Sequence, residues 1–127
     1  MKYANVVSHC GTEHGEWLKE LSFYKESLQS TKKRLEEVAA KNTATAVMKA
    51  VEHFQNQLLI QQNNIAELAH NVHEHERRVS EESQLHAGKI DEMLQAEHRG
   101  LQEEIVLVRK VIKELRAEFN EFAGKWM

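Results

Sequence analysis

Proline is absent from the 127 residues, and glycine occurs only five times. Average usage would give about six prolines and about nine glycines in a chain of this length. Without proline, nothing in the sequence forces a helix to end, so long uninterrupted helices are allowed. The same shortage excludes collagen-like and proline-rich disordered chains. The single cysteine, Cys10, cannot form an internal disulfide, which excludes a disulfide scaffold and fits a reducing, cytoplasmic setting. No apolar run approaches the roughly 18 residues that span a bilayer, and Met1 to Cys10 holds no apolar segment suited to a signal peptide. Basic excess is missing too: 17 Lys and Arg stand against 20 Asp and Glu, for a net charge of -3. The one dense basic run, Lys32-Lys33-Arg34, is followed at once by Glu36 and Glu37 and reads as a solvated helix face. No nucleic-acid partner is expected, since such binders carry a clustered basic footprint. No membrane partner is expected either, because no helix pairs a strongly basic face with an apolar one.

What the chain does contain is three long heptad seams. Residues 16 to 87 include neither glycine nor proline, a stretch of 72 residues. A first helix is predicted to start at Thr12, an N-cap residue type, with residues 1 to 11 as a flexible segment. Its seam reads Trp17, Leu21, Tyr24, Leu28, Thr31, Leu35, Val38, with steps alternating 4 and 3. Lys41 to Thr45 supplies a cationic C-terminus, a turn residue and new cap candidates. The second seam reads Val47, Val51, Phe54, Leu58, Gln61, Ile65, Leu68, Val72, His75, Val79. A turn is expected over Ser80 to Ser83, with Gly88 as the alternative position. The third seam is Ala87, Ile90, Leu94, Glu97, Leu101, Ile105, Val108, Ile112, Leu115, Phe119, Phe122, Trp126. Two consecutive steps of 4 between Glu97 and Ile105 constitute a stutter around Gly100, where a relaxed or bent helix is expected and a kink is the alternative. The prediction is an all-α, antiparallel three-helix bundle, one domain over residues 1–127, with helices at about 12–40, 45–80 and 84–124 and coiled-coil-like packing.

Apolar residues also flank the seams. Leu59, Ile60, Val106, Leu107 and Val111 form a surplus that serves either the bundle core or an interaction face, for a second copy of the chain or another helical protein. Two polar residues interrupt the second seam. Gln61 and His75 are read as setting core register, as single polar seam positions do in coiled coils. His75, expected to be half exposed near a rod end, would loosen that end when protonated.

Eight histidines is a high count, and antiparallel pairing gathers His9, His14, His70, His73, His75, His86 and His98 toward one end of the rod. Imidazoles bind Zn²⁺ or Ni²⁺ and titrate near pH 6.5. The best local spacings are Glu67-x-x-His70, His70-x-x-His73 and His70-x-x-x-Glu74, each placing two donors on one helix face. Glu67, His70, His73 and Glu74 are therefore the candidate metal ligands, although they fall outward of the seam. A di-iron carboxylate site would need a second Glu-x-x-His and inward ligands, and the chain supplies neither. There is no glycine-rich phosphate loop, no Gly-x-Ser-x-Gly, no Cys-x-x-Cys and no His-x-x-x-His. The chain is accordingly read as non-enzymatic, with no catalytic residue and no cofactor expected.

The phrases Glu16-Trp17-Leu18, Phe23-Tyr24-Lys25, Glu52-His53-Phe54-Gln55-Asn56-Gln57, Asn63-Asn64-Ile65 and Lys125-Trp126-Met127 occur in one order along the chain. In this it resembles a group of short, uncharacterised bacterial helical proteins. The resemblance implies a bacterial cytosolic helical protein and carries no activity with it. The functional expectation is a structural or protein-protein interaction module, a homodimer or a partner of another helical protein. The alternative is a small metal- or pH-sensing protein that uses the histidine-rich end.

Overall fold

A computed structural model describes residues 2–85 and 92–126, with side chains from residue 12 onward. Three helices, α1 (Lys2–Lys41), α2 (Thr45–Leu85) and α3 (Glu92–Trp126), pack against one another with no strand among the described residues. At 1.5 Å per residue, the 40 residues of α1 make a rod about 60 Å long. None of the described helices is long and apolar enough to cross a membrane. α1 and α3 run parallel: His14 meets His98 at one end, and Asn42 meets Trp126 at the other. α2 runs antiparallel to both, bringing His75 to His14 and Phe54 to Phe119.

The first connection falls where the sequence places it. Asn42 donates through Nδ2 to the Val38 carbonyl at 2.9 Å and to the Trp126 carbonyl at 3.2 Å. It thus caps α1 and ties the end of α3 to the turn. The Met48 amide donates to the Ala44 carbonyl at 3.0 Å and opens α2.

Other boundaries differ from expectation. α1 begins at Lys2, not Thr12, and runs through Gly11 and Gly15. A glycine inside a helix costs only about 1 kcal/mol, and no proline is present to add a steric block. The first helix is therefore as long as the second, and it covers the hairpin end that a shorter helix would leave bare. Ser80 to Ser83 does not turn, because α2 continues to Leu85. The connection between α2 and α3, with Gly88, His86, Ala87 and Ile90, lies outside the described residues. α3 passes through Gly100 as one helix.

Burial follows the seams. All ten positions of the second seam are buried, Gln61 and His75 included. In α1 the buried seam holds Trp17, Leu21, Leu28, Thr31, Leu35 and Val38, while Tyr24 is half-buried. Thr31 satisfies its hydroxyl by donating to the Ser27 carbonyl one turn back, at 2.9 Å. In α3 Leu94, Leu101, Ile105, Ile112, Leu115, Phe119 and Ala123 are buried, and Trp126 is exposed. Phe54, Phe119 and Phe122 pack ring against ring near the first turn, with Phe54 edge-on to Phe119 at 5.4 Å. Leu59, Ile60, Val106 and Leu107 stay exposed and Val111 half-buried, so the surplus apolar residues are not consumed by the bundle core.

Candidate metal centre

One layer of this core is not apolar. His14 of α1, His75 of α2 and His98 of α3 meet on the bundle axis. One ring nitrogen from each lies within 4.8 Å of the others. Each histidine occupies a seam position of its helix. His14 sits three residues before Trp17 and continues the first seam. His98, four after Leu94 and three before Leu101, restores the regular 4, 3 alternation of the third. With His98 inward there is no stutter over this stretch, and Glu97 is displaced to the edge of the layer. His75 is fully buried, not half exposed, because α1 extends alongside it.

The hydrogen bonds define which nitrogens face inward. His75 Nδ1 lies 2.8 Å from a Glu97 carboxylate oxygen. A carboxylate accepts, so Nδ1 carries the proton and Nε2 carries the lone pair. That Nε2 is buried with no hydrogen-bond partner among the described residues. On the other flank His98 Nε2 stands 3.4 Å from a Glu13 carboxylate oxygen, which turns His98 Nδ1 inward. Nδ1 of His98 in turn accepts from His14 Nε2 at 3.0 Å. The remaining nitrogen, His14 Nδ1, is likewise buried and unpartnered. Arg78 donates to the same Glu97 oxygen that receives His75 and holds that carboxylate in place. Trp17 closes the layer from below, its ring 5.3 Å from His14 and 4.9 Å from His98.

The electrostatics favour neutral imidazoles. Burial pulls the His14 pKa down from 6.5 to about 4, with further lowering from His75 and His98. Burial also lowers His75, against the opposing pull of Glu97. Burial pushes the Glu97 carboxyl up, but bonds from Arg78 and His75 outweigh it and leave Glu97 below the usual carboxylate range. Neutral imidazoles with ionised carboxylates behind them form a donor set for a borderline divalent ion. Two nitrogens on a tetrahedral Zn²⁺ lie about 3.3 Å apart, close to the 3.0 Å between His14 Nε2 and His98 Nδ1. An ion there would take the place of their shared proton and would also give the orphaned His75 Nε2 a partner.

The ligands expected from local spacing lie elsewhere. Glu67, His70 and His73 are exposed, and half-buried Glu74 is paired with Arg77 at 3.1 Å. Glu67 lines the groove between α2 and α3, whereas His73 lines the groove between α1 and α2. The two do not converge. Among the described residues, His14, His75 and His98 are the one group of three His, Cys, Asp or Glu side chains placed to share an ion. Two members, His14 and His98, were legible only as seam positions. A search for short-range pairs misses them, because each helix contributes a single ligand.

Fold and site together define a three-helix bundle with a buried three-histidine layer. The chain matches no protein-family model, no curated protein and no solved structure.

Proposed function

We propose that this protein is a small cytoplasmic metal-binding bundle that holds a divalent ion of the Zn²⁺ class on His14, His75 and His98. One observation carries the reading. Each helix sends one neutral imidazole to a common buried point, where His75 Nε2 is left without a partner and carboxylates back His75 and His98. A buried polar nitrogen left unpaired costs about 1–3 kcal/mol, a cost that a metal bond would remove. Imidazole donors suit Zn²⁺, Ni²⁺ or Cu²⁺, and outer carboxylates fix ring orientation and raise ligand basicity. The role is binding or sensing, without catalysis. Tag-free protein is expected to co-purify with or take up close to one metal ion per chain, and its melting temperature is expected to fall on addition of a chelator. Sub-stoichiometric metal with no chelator effect would refute the reading.

A second reading rests on the exposed apolar residues. Leu59, Ile60, Val106 and Leu107 remain exposed on α2 and α3, and they support association with a second copy or another helical protein. Absolute mass in solution tests this: a dimer mass supports self-association, and a monomer mass at high concentration removes it.

A further inference from the structure

The histidine layer also divides the bundle. The contiguous apolar core extends from the first turn only as far as Trp17, Val72 and Leu101. Beyond the layer Val79 and Leu94 are buried as well, but they do not belong to that core. The distal end therefore lacks continuous apolar packing to the rest of the molecule. Its link is a polar layer with two unpartnered buried nitrogens, an arrangement that contributes little cohesion unless something satisfies it.

We infer that the ion acts as a staple with regulatory effect: the distal part of the bundle opens as a unit in the metal-free protein, and metal occupancy closes it. This rests on the metal-binding reading above. The ligands come one from each helix, so an ion bound by all three cannot remain bound when any helix leaves the layer. The proximal core, built on Leu28, Leu35, Val51, Phe54, Ile112 and Phe119, does not depend on the layer and holds its structure in both states. Stability of this kind is local, and a ligand that binds only the closed state shifts only the opening step until the two steps merge.

The two tryptophans make the unit visible. Trp17 packs on His14 and His98, whereas Trp126 sits at the opposite end and is exposed. In full-length protein carrying Trp126→Phe, urea unfolding is followed by Trp17 fluorescence and by helical circular dichroism, with the metal stripped and then with Zn²⁺ alone. Zn²⁺ affinity is measured separately by calorimetry. In the metal-free protein the Trp17 transition is expected to precede the main loss of helix. With free Zn²⁺ at 100 times its Kd, the opening constant should fall about 100-fold. The Trp17 transition then moves up until it coincides with the main one. If calorimetry shows Zn²⁺ bound but the two probes already coincide without it, the inference is overturned and the metal site stands. If Zn²⁺ does not bind, both fall.

Discussion

The two ends of this bundle are built on the same heptad register and hold together by different means. Near the first turn the layers are apolar throughout, with Phe54, Phe119 and Phe122 interlocked and Arg34 lying over the Phe119 ring at 5.2 Å. Such packing is stabilising whatever the solution contains. At the far end one seam position in each helix is histidine, and the three rings depend on Glu13, Glu97, Arg78 and Trp17 for their arrangement. Three small departures from a hydrophobic seam, aligned at one level, convert a structural layer into a conditional one. The contrast shows that function in a simple rod need not sit on its surface.

Perturbations of the two ends should separate them cleanly. The largest effect belongs to the proximal layers. Phe119→Ala removes a buried ring and is expected to cost about 3–5 kcal/mol in urea denaturation, with Zn²⁺ affinity unchanged. A loss of affinity as well would show that the two ends are not independent.

Acid should act on the opposite end. His14 titrates near 6.5 when unfolded and at about 4 when folded. Below pH 6.5 the unfolded chain binds a proton that the folded chain does not, so its contribution to stability is complete above 6.5 and is lost as pH falls toward 4. His75 is shifted the same way. The facing groups are His75, His98, Glu13, Glu97 and Arg78, and none is positioned to neutralise a His14 cation directly. Metal-free protein is expected to lose up to about 3 kcal/mol through His14 between pH 7 and pH 4. Comparing urea midpoints of wild type and His14→Leu across this range checks it, and an identical pH dependence would contradict the assignment.

A subtler change touches only the support of the layer. Glu97→Gln keeps an acceptor near His75 but removes the charge that orients it, and Zn²⁺ affinity should weaken by about 10–100-fold in calorimetry. The smallest effect should come from the exposed ion pair midway along the rod, where Arg109 grips both oxygens of Glu20 at 2.8 and 2.9 Å. Arg109→Ala is expected to cost less than about 1 kcal/mol in urea denaturation and to leave metal binding intact.

Much of this architecture is legible in the residues. The 4, 3 alternation identifies the three helices, the Asn42 turn and nearly every buried position, because side-chain burial in a bundle follows a period that a reader can count. Helix ends were harder. Gly11 and Ser80 to Ser83 are signals of low energy, and the long packed seams on either side override them. The site was half legible. The crowding of histidines at one end follows from antiparallel pairing, and His75 stood out as a seam residue. The local search chose Glu67, His70, His73 and Glu74 because spacing within a helix is visible in sequence. Spacing across helices is not, and it is the layer in common that brings His14 and His98 to His75.

The most direct measurement is Zn²⁺ titration by calorimetry of tag-free, metal-stripped protein, in the wild type, in His75→Ala and in the double variant His70→Ala/His73→Ala. A buried three-histidine centre predicts one Zn²⁺ per chain, lost in His75→Ala and retained in the double variant. Binding that survives His75→Ala and disappears in the double variant would contradict it and return the metal to the outer face of α2.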